Sequence, residues 1–227
     1  MGTLYIVSTP IGNLNDITIR AKNTLSTVDM ILAEDTRTSG HLLKKISVKK
    51  PLKAYHDHNK EKVTPGIIAT LEEGRNLALI TDAGTPGIAD PAFYLVRQAL
   101  AENIPVIPIP GPSALLTALV GSGLPTDRFI FENFLPSSKT KRKKIFESFL
   151  PEKRTVIFYE SPHRITKVLQ EMDIVLGDTY TVIARELTKL HEEFLRGTPR
   201  MLLDHFTEKK PKGEMVVLFN TRFHYDP

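Results

Sequence analysis

Along the first half of the chain, short apolar runs alternate with stretches in which apolar residues recur every three or four positions. The runs at 4–8, 28–34, 51–56, 77–82 and 105–109 read as strands buried on both faces, which need no polar alternation. Between them the spacing predicts helices over 17–28, 39–46, 60–73, 91–102 and 113–120. Asp16 stands where it would cap the first helix, and Gly74 where the third would end. Strands that alternate with helices pair in parallel through right-handed crossovers. This half therefore predicts an α/β domain with a mostly parallel sheet and helices on both faces.

The second half has a different texture. Residues 121–127 are rich in Gly and Pro, which places a domain boundary there: one α/β domain over 1–121 and another over 122–227. Strands are predicted over 129–135, 155–160, 180–186, 193–196 and 214–220, and a helix over 141–150. Ser161-Pro162 and Thr198-Pro199 each read as a helix start, with the hydroxyl as cap and proline in the first turn. The strands at 180–186 and 193–196 have little between them, so this sheet mixes in antiparallel pairing.

Composition narrows the class. The chain has 227 residues, 41% hydrophobic and 25% charged, an ordinary globular balance. It has no cysteine, which excludes disulfides, thiolate metal sites and a thiol nucleophile, and suits a reducing cytoplasm. The start leads straight into Leu4-Tyr5-Ile6-Val7, with neither a basic region nor a cleavage site. Ile6 occupies the place where a myristoylation signal has Ser or Thr, and no apolar run is long enough to span a bilayer. A net charge of +4 fits a polyanionic partner such as RNA, or simply a basic surface.

In open parallel sheets, ligands bind beyond the carboxyl ends of the strands. The residues in those places are Thr9-Pro10-Ile11-Gly12-Asn13, Glu34-Asp35-Thr36-Arg37, Tyr55-His56-Asp57-His58-Asn59, Asp82-Ala83-Gly84-Thr85-Pro86-Gly87 and Pro110-Gly111-Pro112-Ser113-Ala114. Gly84 and Gly87 would let backbone amides approach a ligand. Thr85 and Ser113 offer hydroxyls, and Ser113 stands at a helix start suited to a carboxylate. One such loop is a tight turn; five on one edge point to a ligand site. The dinucleotide fingerprint G-x-G-x-x-G and the phosphate-binding G-x-x-x-x-G-K-[ST] are absent, which disfavours a classical NAD enzyme or a P-loop NTPase.

Four of these loops, read as Thr9–Leu14, Ala33–Arg37, Asp82–Ile88 and Pro108–Ala114, resemble the tetrapyrrole methylase superfamily. Within it they are similar to the branch that methylates the ribose 2′-hydroxyl of small-subunit ribosomal RNA. The second half agrees through Ser122-Gly123-Leu124-Pro125-Thr126-Asp127-Arg128-Phe129, Phe158-Tyr159-Glu160-Ser161-Pro162-His163-Arg164, Ala184-Arg185-Glu186-Leu187-Thr188-Lys189 and Lys212-Gly213-Glu214. The resemblance implies a homodimer whose two-domain protomers hold S-adenosylmethionine in a cleft between the domains. It also implies transfer of the methyl group, without a metal, to a cytidine in the decoding region of 16S ribosomal RNA. Donor contacts are expected from Pro10, Asp82, Gly84, Thr85, Pro86, Ile88, Ser113 and Ala114, and from Phe158, Tyr159, Ala184 and Glu214. Members of the branch often extend past the last strand, where this sequence has only Phe223–Pro227, so a different or weaker grip on RNA is expected.

A methyl transfer needs alignment and help in removing a proton. The candidates are Glu34, Asp35 and the histidines His56 and His58, with Glu160, Glu186 and Lys189 from the second half. A lysine would serve by stabilising an alkoxide. Plainer readings stand beside these. Glu34–Arg37 can be a helix cap with a salt bridge, the histidines an edge-strand pair, Glu160-Ser161-Pro162 a cap, and Arg185-Glu186 an ion pair. For RNA the candidates are Arg37 and the cluster Lys139, Lys141, Arg142, Lys143 and Lys144. Lys44, Lys45, Lys49 and Lys50 form a second cluster. Phe131, Phe134 and Tyr159 read as core residues more readily than as stacking platforms. Two other functions compete: a tetrapyrrole C-methyltransferase, and a ribosome-assembly factor that binds RNA without catalysis.

Overall fold

The computed structural model describes residues 1–224; Tyr225, Asp226 and Pro227 lie outside the described residues. The chain forms two compact units, Met1–Ser113 and Ala114–Pro227.

The first unit alternates strand and helix: β1 (Leu4–Val7), α1 (Ile19–Thr27), β2 (Met30–Ala33), α2 (Thr36–Lys45), β3 (Leu52–Ala54), α3 (Lys60–Glu72), β4 (Leu77–Ile80), α4 (Ala92–Ala101) and β5 (Val106–Ile109). The sheet order is β3-β2-β4-β1-β5, every pair parallel. Side chains alternate across a strand, so each strand feeds both faces. Leu4 and Ile6 join Leu32, Leu77 and Leu79 beneath Ile67 and Leu71 of α3 and Leu95 and Ala99 of α4. Val7 joins Ile31, Ala78 and Ile80 beneath Ala21 and Leu25 of α1 and Leu43 of α2. With helices on both faces, the loops at the strand ends are left for a ligand.

The starts of α1 and α2 differ from expectation. Thr18 caps α1, its Oγ1 accepting from Ala21 N at 3.0 Å, while Asp16 sits in a single 3-10 turn (Leu14–Asp16). Only a side chain directly before the first helical residue reaches the free amides of the first turn. For the same reason α2 begins at Thr36, three residues early: Asp35 caps it by accepting from Arg37 N at 2.8 Å.

The second unit contains α5 (Ala114–Ser122), β6 (Phe129–Phe134), α6 (Lys139–Ser148), β7 (Thr155–Glu160), α7 (Ile165–Leu176), β8 (Thr179–Arg185), β9 (Glu193–Gly197), α8 (Pro199–Glu208) and β10 (Met215–His224). Its sheet runs β6-β7-β10-β8-β9; β6 and β7 are parallel and the other pairs antiparallel, a mixed sheet. One face carries α6, α7 and α8 over a core in which Phe146, Phe158 and Phe219 meet edge-to-face, 6.3–6.5 Å apart. On the other side α5 packs against β7, β8 and β10, where Ile157, Val182 and Leu218 are fully buried. Arg196 of β9 fixes the end of α5 by donating to Gly121 O at 2.6 Å and Ser122 O at 3.2 Å. A Cβ on Gly121 would run into the Phe194 ring, so any other residue there requires that ring to move.

The Gly/Pro stretch at 121–127 is therefore the connection from α5 to β6. The chain divides one helix earlier, between Ser113 and Ala114. Thr198 caps α8 through Met201 N at 3.3 Å. Ser161-Pro162 instead forms a turn before α7: Ser161 O accepts from Arg164 N and Ile165 N, and Arg164 takes the cap position. Among the described residues no helix is long and apolar enough to cross a membrane.

Candidate functional site

The loops at the carboxyl ends of β1, β2 and β4 are joined by hydrogen bonds. Thr9 N donates to Gly84 O at 2.9 Å, and Gly84 N returns to Thr9 O at 3.1 Å. Gly84 is buried at φ +85°, a conformation that a side chain would strain. Gly87, also at positive φ, donates its amide to Asp90 Oδ1 at 2.8 Å. Both amides are engaged within the protein, that of Gly84 by Thr9 O of the β1 loop and that of Gly87 inside its own loop.

Thr85 hydrogen-bonds Ser8 Oγ at 3.0 Å and donates to Pro112 O at 3.0 Å, tying the loops after β1, β4 and β5 together. Pro10 and Pro86 are buried, whereas Ile88 is exposed. Asp90, absent from the sequence-derived candidates, also accepts from Ala92 N at 2.8 Å and so anchors the loop to the start of α4. Burial pushes its carboxyl up. An acid-proline pair before a helical apolar run was the available signal.

Glu34 accepts from Thr81 Oγ1 at 3.0 Å and, with Tyr55, Thr81 and Asp90, lines a small cavity above β2 and β4. Asp35 is differently engaged. Besides capping α2, it binds Arg37 through Nη2 at 2.8 Å and Nε at 3.2 Å. The Arg37 hydrogen bonds hold its carboxyl down at about 2. Arg37, expected at an RNA surface, is exposed but carries this bond. Asp82 accepts from Asp35 N at 3.2 Å, and burial raises its carboxyl. The rings of His56 and His58 lie 6.0 Å apart, edge to face; His56 Nδ1 is buried without a hydrogen-bond partner, and His58 is exposed.

In the second unit the candidates spread over three places. Phe158 and Ala184 are fully buried, Phe158 within the aromatic core. Tyr159, on the opposite face, meets Phe131 at 4.9 Å and Phe134 at 5.5 Å. Glu160 is buried, accepts from Ser161 N at 2.7 Å and lies 3.3 Å from Arg164 Nη2. Burial pushes its carboxyl up, against the pull of Ser161 N and Arg164. Lys189 binds Glu186 at 2.9 Å and the exposed Glu214 at 3.1 Å. Burial works against the Lys189 charge, but the two carboxylates outweigh it and raise its pKa, so it stays protonated. The plainer reading of Arg185-Glu186 as an ion pair is not what forms; Arg185 binds Glu193 at 2.7 Å, since the two face each other across β8 and β9.

Of the basic cluster on α6, Lys139, Lys141, Lys143 and Lys144 are exposed. Arg142, placed with them at the RNA surface from sequence, is instead buried at 5% exposure and forks onto Glu171 of α7, both contacts at 2.7 Å. It also donates to Pro136 O and Ser137 O. Its register explains this, for Arg142, Phe146 and Phe149 lie four and three residues apart on the core-facing side. Among the described residues no group of three or more His, Cys, Asp or Glu side chains is placed to hold a metal.

Comparison with known proteins agrees over most of the chain. The model of the family "Tetrapyrrole (Corrin/Porphyrin) Methylases" matches residues 3–202. A ribosomal RNA small subunit methyltransferase I of Synechocystis is 50% identical, covering 96% of this chain and 78% of that protein. The Thermotoga maritima protein of the same name is 47% identical, covering 97% of this chain and 99% of that one. Among solved structures, diphthine synthase superposes with a TM-score of 0.78 at 13% identity, covering 99% of this chain and 92% of that one. Uroporphyrin-III-C-methyltransferase of Thermus thermophilus gives 0.68 at 18%, covering 97% and 96%.

Proposed function

The chain belongs to the tetrapyrrole (corrin/porphyrin) methylase family, and from that premise we propose that it methylates ribosomal RNA with S-adenosylmethionine, at the ribose 2′-hydroxyl of a cytidine in the decoding region of 16S RNA. One observation carries the choice of substrate: identity of 47–50% to small-subunit ribosomal RNA methyltransferases across nearly the whole chain. Likeness to solved structures at 13–18% identity supports the fold and selects no substrate. The exposed lysines of α6 fit an RNA backbone better than a neutral macrocycle.

The first unit's loops suit the donor. Ile88 offers an exposed apolar contact, Thr85 is fixed by two hydrogen bonds, and Ser113 stands directly before a helix start, where free amides favour a carboxylate. Bound there, S-adenosylmethionine would supply a methyl group already activated by its sulfonium. Glu34 is the residue assigned to take the hydroxyl proton, because Asp35 is committed to Arg37. No metal takes part in this reading. It also places the protein in the cytoplasm as a homodimer.

The test is to incubate the protein with methyl-labelled S-adenosylmethionine and small ribosomal subunits. Label in RNA, at one cytidine whose 3′ phosphodiester resists alkaline hydrolysis, supports the proposal. Label on a base rejects the ribose. Label only in a porphyrinoid substrate favours the C-methyltransferase, and RNA binding without label favours the assembly factor.

A further inference from the structure

The edge strand β6 carries a bulge that turns Leu135 into the core and leaves Phe134 on the opposite face. Phe131 pairs with Ile157 and Phe134 with Tyr159, so Glu132 and Asn133 together oppose Phe158 alone. Asn133 takes φ 58°, and its Oδ1 accepts from Phe134 N at 2.8 Å. In an unbroken strand Asn133 would pair with Tyr159; the extra residue puts Phe134 there. Phe131, Tyr159 and Phe134 therefore form an edge-to-face row. Phe131 and Tyr159 are half-buried, but Phe134, at its end, is 55% exposed.

The segment that follows is held unusually firmly. Arg164 donates to Leu135 O at 2.8 Å and Pro136 O at 3.2 Å, and Arg142 donates to Pro136 O at 2.9 Å and Ser137 O at 2.6 Å. Each arginine is backed by a buried carboxylate, Glu160 or Glu171. Three consecutive carbonyls are thus fixed, and they connect Phe134 to the lysines of α6. That helix has no acid in its first turn, although cations there oppose its dipole. Lys139 follows Phe134 by five residues, within about 18 Å even for an extended chain.

An exposed, ordered aromatic ring with exposed cations a few residues away is the chemistry that binds single-stranded nucleic acid: the ring stacks on a base while the cations take phosphates. We propose that Phe134 is a base-stacking residue for single-stranded RNA, presented by the β6 bulge and working with Lys139, Lys141 and Lys144. This rests on the RNA-methylation reading and extends it to a recognition site within the second unit. Lys143 is left out because Glu147 lies 3.7 Å from it.

The test measures binding of a short fluorescein-labelled single-stranded RNA across a salt series, with wild type, Phe134→Ala and Phe134→Tyr. Stacking is insensitive to salt, and each stacked base contributes enough to predict a Kd increase on the order of 10- to 100-fold for Phe134→Ala. The salt slope should not change, and the tyrosine variant should bind like wild type. Thermal unfolding checks that each variant is folded; the side chain is exposed enough for both to be. Wild-type affinity in Phe134→Ala overturns the proposal. So does a loss of affinity that tracks a change in sedimentation and is not restored by tyrosine, which would assign Phe134 to a protein contact. Failure of wild type to bind the short RNA also overturns the proposal, whereas the RNA-methylation reading falls only if small ribosomal subunits take no label.

Discussion

At the scale of single residues, Glu34 and Asp35 are neighbours with different duties. Arg37 holds the Asp35 carboxyl down at about 2, so the group stays ionised and has little appetite for a proton. Its grip on Arg37 is present throughout the neutral range and is lost only as acid approaches that value. Glu34 accepts from the Thr81 hydroxyl and lines a cavity. Glu34→Gln should lower the single-turnover rate by about 10²- to 10⁴-fold, the usual contribution of a general base, while Asp35→Asn stays within a few-fold of wild type. Equal losses in both would move the role to Asp35 or to the α2 start as a whole. The neighbourhood of these residues was readable from sequence, because loops after parallel strands converge. Their division of labour was not, since it depends on which carboxylate the Arg37 side chain reaches.

Among elements, the apolar runs made every strand of the first sheet legible and most helix bodies too. Helix starts were less so, because several polar residues near each start compete and only geometry picks Thr18 over Asp16. The tether between α6 and α7 was also missed: Lys-Arg-Lys-Lys reads as a solvated face until Phe146 and Phe149 are counted from Arg142. This tether gives a sharp thermodynamic expectation. The side chains of Arg142 and Glu171 are 6% and 7% exposed. Removing one partner strands a buried charge, so Arg142→Met and Glu171→Leu should each cost about 3–5 kcal/mol, whereas the double apolar variant should recover most of that. Urea unfolding of the four proteins checks it. Additive losses would mean that the carbonyl contacts to Pro136 and Ser137, rather than the ion pair, carry the energy.

For the whole molecule, net charge says little: 30 Lys and Arg against 26 Asp and Glu leave only +4. Where the cations sit says more. Lys44 and Lys45 lie in the last turn of α2, where they complement the helix dipole, so the fold accounts for them. Lys139 and Lys141 lie in the first turns of α6, where they oppose it, and an anionic partner is the natural compensation. If RNA approaches this surface, replacing Lys139, Lys141 and Lys144 by alanine removes up to three phosphate contacts. The slope of log affinity against log salt should then fall by about 0.7 per lysine, while calorimetric affinity for S-adenosylmethionine stays put. The same change made at Lys44, Lys45 and Lys49 should leave the slope near wild type and lower thermal stability slightly. The reverse pattern would place the RNA on the first unit and leave the cations of α6 without a partner.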